Sequence, residues 1–333
     1  MKQSNATIFI LPPAVCITLL LSSWGIWGHE HINRSAVFAL PAEIRTFYYN
    51  HIDYLTVEST GPDIRRYTYN DKNEGPRHYI DIEMFDKPID SLPRTSQEKS
   101  KLYSDSLMMK TGFLPWYIQD MMVKLTKAFK EKHKNEILLL SADLGHYLGD
   151  ANMPLHTALN HDGQLTNQNG VHSLWESRLP DAFGNTYNVH TREARYIDDV
   201  TKETWLIIKR SHLLVDTLLA ADKQVKADLP QDKWYKKDEQ GNQLKSKYNT
   251  PIYSDEYATA FHKALHGMVE QQLKLAIEDV ADFWYTAWVN GGKPDLNKLD
   301  DIEFTEQNKL PLMKDFEAWQ KGKVVKLKTE SEY

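Results

Sequence analysis

The chain has 333 residues, 41% of them hydrophobic, which supplies enough apolar side chain for a large buried core. A formal charge of −6 supplies no overall basic field, arguing against nonspecific attraction to nucleic acid or an anionic membrane surface while leaving room for a local basic patch. One cysteine, Cys16, excludes an internal disulfide framework.

At the N-terminus, Lys2 precedes the mostly apolar run TIFILPPAVCITLLL at 7–21, and small Ser22-Ser23 precede Trp24. The run is short for a bilayer span and has the order of a secretory signal peptide. Residues 1–23 are therefore expected to be removed on export to a periplasmic or extracellular space, leaving no transmembrane segment; a retained anchor is the alternative. Leu21 three residues before the junction and Pro12-Pro13 within the run fit that reading less well. With Cys16 gone, the mature chain relies on its core or on bound metal for stability.

Helical periodicity dominates the remainder. Residues 115–132 open with a proline in the first turn and place Ile118, Met121, Met122, Leu125 and Phe129 on one face. Residues 135–150 follow, with Asn135 as the expected cap, and 203–225 and 255–292 repeat the pattern, the last stopped by Gly291-Gly292. Alternating β-branched runs are missing, so the expected fold is all-α, a single helical domain over 24–293. Residues 226–250, charged and carrying the Gly241-Asn242 turn signal, read as an exposed excursion with a small hairpin. Residues 294–333 read as a surface extension with a loose tail.

The chemistry concentrates in GHYLGDANMPLH at 145–156. His146 and Asp150 stand i and i+4 on one helix face, and His156 follows a proline that ends the helix. Each alone reads more readily as a cap or a satisfied polar group; together they read as ligands. HSLWE supplies a second such pair, His172 and Glu176, across the polar loop NHDGQLTNQNG. Imidazole and carboxylate pairs at this spacing converge on one ion, so two facing pairs point to a polynuclear metal site. Asp63 in GPDIRRYTY and His78 in PRHYIDIE, fifteen residues apart, are further candidates, though alone they read as structural. His262 and His266 read as packing or surface residues, while His51, His133, His161, His190 and His212 lack a partner pattern. His31, beside His29, is the hardest to exclude.

In order, WGIWGH at 24–29, Asp63 with RHY, GHYLGDANMPLH and HSLWE resemble the superfamily that unites bacterial zinc-dependent phospholipase C with the single-strand-specific zinc nucleases of fungi and plants. The likeness spans residues 24 to about 181 in its motifs. It implies an all-helical domain holding three zinc ions, in which the mature N-terminal tryptophan is a ligand through its amine and carbonyl oxygen. Carried over, Asp63, His78, His146 and Asp150 hold the first zinc, and His156, His172 and Glu176 the second. Trp24, His29 and a shared Asp150 hold the third. Zinc lowers the pKa of bound water to about 7, supplying a nucleophile for phosphorus, and Asp63 orients or deprotonates it; Asp63 and Asp150 are thus the expected catalytic carboxylates.

The substrate is expected to be a phosphodiester, a phospholipid or a single-stranded nucleic acid, with no stable protein partner. The WGxxGH spacing, the Asp63 to His78 step and HSLWE resemble the nuclease branch; Glu176 and the short His156 to His172 gap resemble the phospholipase branch. Tyr79 could stack on a base. The acidic charge favours a phospholipid or small phosphodiester, and Phe113, Trp116 and Tyr117 are candidates for an apolar rim, with core packing the expected role of at least two of them. A zinc-stabilised binding protein without catalysis is the alternative of another class.

Overall fold

The computed structural model describes residues 24–67, 71–246 and 250–299, together with Glu317, Gln320 and Lys321. The proposed leader and most of the C-terminal extension lie outside the described residues. The fold is all-α, as the periodicity requires. In chain order, α1 (Gly25–Ala39), α2 (Ala42–Asn50), α3 (Ile52–Glu58) and α4 (Gly61–Tyr67) follow one another closely. Short 3₁₀ turns then lead to α5 (Ser96–Leu102), α6 (Asp105–Thr111), α7 (Leu114–Glu131) and α8 (Lys134–Ala151). The rest comprises α9 (Val171–Ser173), α10 (Leu179–Phe183), α11 (Val200–His212), α12 (Val215–Asp228), α13 (Asp255–Ala264) and α14 (Met268–Asn290).

The helix from 255 to 292 expected from the sequence is in fact two helices. His266 and Gly267 adopt left-handed conformations, with φ of 48° and 83°, and redirect the chain between α13 and α14. A continuous apolar register across Leu265 and Met268 hides this break from pattern reading. The 203–225 segment likewise divides at Leu213-Leu214. Asn135 is not a cap: α8 begins one residue earlier, with His133 at the N-cap position. Residues 235–253 form isolated antiparallel pairings, Tyr235 with Tyr253, Lys237 with Gln243 and Lys245 with Pro251, around a turn where Gly241 has φ 84°. This is the expected excursion, which begins after α12 ends at Asp228 rather than at 226 and has no regular strand among its described residues.

α1 is the central pillar, packed against α3, α8 and α14. Its approach to α8 depends on glycine. A Cβ at Gly145 would fall 1.9 Å from Asn33 Oδ1, and one at Gly149 would fall 3.1 Å from His29 Nδ1. The space goes to buried Asn33, whose Nδ2 donates to Leu55 O and Ala142 O at 3.1 Å each and so ties α1 to α3 and α8. One turn earlier on α8, Trp284 Nε1 of α14 donates to Ser141 O at 2.9 Å, and its ring stacks on Tyr48. Two glycines one turn apart therefore fix the separation at which His29 of α1 faces His146 and Asp150 of α8.

Beyond residue 293 the chain still contributes to the fold: Trp288 Nε1 donates to Pro294 O at 3.0 Å and Leu296 is buried. No helix among the described residues is long and apolar enough to cross a membrane.

Candidate metal centre

Asp150 stands at the middle of the site, wholly buried in the last turn of α8. Its Oδ1 faces His29 Nε2 at 3.5 Å and His156 Nε2 at 3.9 Å. Its Oδ2 faces His78 Nδ1 at 2.9 Å and His146 Nε2 at 3.3 Å. His146, one turn before Asp150, also approaches His78 Nδ1 at 3.0 Å and stacks on His29 with ring centroids 3.9 Å apart. Asp63, in the first turn of α4, brings Oδ1 to 3.8 Å from His78 Nδ1. Beyond the proline turn, His156 Nε2 lies 3.2 Å from Glu176 Oε2, and His172 Nε2 lies 2.9 Å from Glu176 Oε1. Glu176 sits on a single π-helical turn, Leu174–Arg178, that continues α9.

Eight of the nine ligand positions read from the sequence thus converge in three groups: His29 with His146 and Asp150, Asp63 with His78 and His146, the two sharing His146, and His156 with His172 and Glu176. The ninth, Trp24, is buried beside them. Its indole Nε1 donates to Gly149 O at 2.6 Å, and its ring stands edge-on to Trp175.

The outer nitrogens fix which face of each ring is available. His146 Nδ1 donates to Ser59 O at 2.8 Å, His156 Nδ1 to His78 O at 2.7 Å, and His172 Nδ1 to His161 O at 2.7 Å. A carbonyl accepts only from N–H, so in the neutral ring each Nε2 carries a bare lone pair aimed at a carboxylate or another imidazole. Lone pair against lone pair at 3 Å is repulsive unless a cation lies between them or the ring takes a proton. Asp63 Oδ1, buried, accepts no hydrogen bond. The donor set of imidazole nitrogens and carboxylate oxygens, with no cysteine, fits zinc or another borderline divalent ion.

Without metal, protons fill the gaps. Burial opposes charge on His78, but its contacts to Asp150 and Glu74 outweigh burial and push it up to about 9. Burial likewise opposes charge on His172, and Glu176 overcomes it, again to about 9. On Asp150 burial favours the neutral acid, yet His146 and His156 hold it well below the carboxylate range. Burial, with His146 second, keeps His29 neutral, and burial raises Asp63.

Sequence reasoning missed the outer supports. Glu74, fully buried, places Oε1 3.7 Å from His78 Nε2 and also receives Tyr147 Oη, Arg77 Nη1 at 2.7 Å and Arg65 Nε at 3.2 Å. Despite burial, these partners hold its carboxyl down at about 2. Its i, i+4 spacing to His78 was a usable signal, obscured by Gly75-Pro76 between them. His161 lacked any motif but lends its carbonyl to His172. His31, the hardest to exclude, directs Nδ1 to Trp27 O at 2.6 Å and stacks on the Trp27 ring, and His262 stacks on Phe183. Trp116 is core, and Phe113 and Tyr117 are partly buried against that core, edge-on to each other, with Tyr117 also edge-on to Tyr147. No known family model matches the chain, and no curated protein is similar enough to it to count as a match.

Proposed function

We propose that the protein is an exported zinc-dependent phosphodiester hydrolase, resembling the zinc phospholipase C and single-strand nuclease superfamily, that takes three ions. The observation that carries this reading is the convergence of His29, Asp63, His78, His146, Asp150, His156, His172 and Glu176 in one buried site around a shared carboxylate. Asp63, His78, His146 and Asp150 would hold the first ion, His156, His172 and Glu176 the second, and His29, Asp150 and a freed Trp24 terminus the third. When bound, the ions would supply a water of pKa about 7 and neutralise charge on the phosphoryl oxygens. Asp63, whose Oδ1 accepts no hydrogen bond and whose pKa burial raises, would be able to hold a proton taken from such a water. The carbonyls of Ser59, His78 and His161 keep the imidazoles oriented throughout.

The preferred substrate is a phospholipid or small phosphodiester. Supporting it, Leu165, 64% exposed, lies on the loop between His156 and His172. Leu213, 69% exposed, follows His212, whose ring meets Thr157 O beside His156. Cleavage of single-stranded nucleic acid is the second reading, favoured by the WGIWGH spacing, the fifteen-residue step from Asp63 to His78 and HSLWE.

The test is a parallel assay of phosphatidylcholine, single-stranded DNA and RNA, with bis-p-nitrophenyl phosphate as a neutral reporter. Reporter hydrolysis is expected to vanish with chelator and to fall at least about 100-fold in Asp150→Asn. Turnover of nucleic acid alone would replace the lipid reading, and zinc-loaded but inert protein would leave only a binding role. N-terminal sequencing is expected to begin at Trp24, and protein cleaved elsewhere is expected to hold fewer zinc ions.

A further inference from the structure

Away from the metal centre, a groove of about 710 Å³ runs between the loop that precedes α9 and the excursion after α12. The loop contributes Asn167 and Asn169, the excursion Gln231 and Gln243, and the partly exposed rings of Trp234 and Tyr235 form a wall. The two sides are held together at Gly170. Its φ of 90° suits glycine, and a Cβ there would meet Pro251 O at 3.2 Å.

The floor of the groove is constructed. Asp222, fully buried in α12, receives Tyr257 Oη at 2.5 Å, Gln168 Nε2 at 2.6 Å and Lys226 Nζ at 2.9 Å. Gln168 Nε2 donates also to Leu219 O at 2.8 Å, so both amide protons are committed to acceptors beneath the groove and the orientation of its carboxamide is fixed. Gln168 is only 2% exposed, and its Oε1 accepts no hydrogen bond. That oxygen lies beneath the groove surface, so Gln168 anchors the floor and the polar groups open to a bound molecule are the exposed Asn167, Asn169, Gln231 and Gln243. Lys226 is anchored by Asp222 and by Tyr253 Oη at 3.2 Å, so its charge is already balanced, leaving Lys223 as the one lining cation whose charge is not visibly balanced among the described residues.

We infer that this groove binds a neutral carbohydrate. The exposed carboxamides of Asn167, Asn169, Gln231 and Gln243 can pair with vicinal hydroxyls as donor and acceptor together, and the aromatic wall takes the apolar face of a pyranose. A nucleic-acid strand needs several cations for its phosphates, and the lining does not provide them. The inference does not rest on the hydrolase reading.

The test is isothermal titration of the full-length protein with maltose, lactose, mannobiose and N,N′-diacetylchitobiose, with and without chelator. At least one disaccharide is expected to bind with a dissociation constant on the order of 0.1–1 mM, unchanged when metal is removed. Trp234→Ala and, on the exposed side, Gln243→Ala are each expected to weaken it about 10-fold or more. Gln243 is solvent-facing, so its variant separates lost binding from lost folding. The inference is overturned if none of the four sugars binds, if both variants bind as the parent does, or if a single-stranded oligonucleotide or inorganic phosphate occupies the groove and is lost in Lys223→Ala instead.

Discussion

Adding zinc to metal-free mature protein at pH 7 is expected to expel about three protons from the site, two from imidazoles and most of one from the Trp24 amine, whose ordinary pKa is about 8, beyond any released by bound water. His78 and His172 are both pushed up to about 9, so each is mainly protonated at pH 7 in metal-free protein. A metal ligand must be the neutral ring, and both protons therefore leave on binding. A bound water of pKa about 7 adds at most about one more. Titration calorimetry in buffers of different ionisation enthalpy reads the number directly. It should give about three to four protons at pH 7 and about one fewer in His172→Gln. The same linkage requires zinc affinity to rise by about two to three log units per pH unit between pH 6.5 and 8.5. Release of less than about two protons, or affinity flat over that range, would show that the imidazoles are neutral without metal and would refute the proton-filled picture.

The same two histidines set the pH dependence of metal-free stability. Their folded-state values lie above the ordinary 6.5, so their contribution is complete below about pH 6.5 and lost as pH rises through 9; it is bounded at about 3 kcal/mol for each. Metal-free protein should accordingly melt at falling temperature across that window while zinc-loaded protein does not, and parallel curves from thermal melts would count against it. Glu74→Gln removes the carboxylate behind His78 and is expected to weaken one zinc about 10- to 100-fold in competition with a chromophoric chelator, with the helical circular dichroism retained. Gly145→Ala would gain about 1 kcal/mol from helix propensity in an open setting. Against Asn33 Oδ1 at 1.9 Å the clash costs about 1–3 kcal/mol, so the melting temperature should drop by a few degrees; a rise would mean α1 can move away freely.

The ligand pairs were legible because helical geometry is short-range: four residues separate His146 from Asp150 and His172 from Glu176, and a helix turns that spacing into proximity. What brought the pairs together was not legible from period. The meeting of α1 with α8 depends on Gly145 and Gly149 facing Asn33 and His29, a contact between segments more than a hundred residues apart. The groups that orient the rings are mostly backbone carbonyls, Ser59 O, His78 O and His161 O, and a carbonyl leaves no trace in residue type. The break at His266-Gly267 escaped because one glycine in an apolar register reads as tolerated, whereas its positive φ belongs to the folded backbone. The π-helical turn under Glu176 escaped for a related reason, since α and π turns share one pattern over so few residues.

Because Asp150 turns one oxygen toward His29 and His156 and the other toward His78 and His146, occupancy of the separate pockets cannot be independent. On the proposed multi-ion reading, the first ion to arrive would pin the carboxylate for later ones and draw electron density from the oxygen they would share, so ordering would help the next ion while charge would oppose it. Whichever effect is larger fixes the shape of the loading curve, and the coupling is reciprocal: whatever one ion does to the affinity of the next is returned to it in equal measure. A cell supplying scarce metal would then produce either mostly empty and mostly full molecules or a long-lived population with partial complement, a choice made by a single side chain.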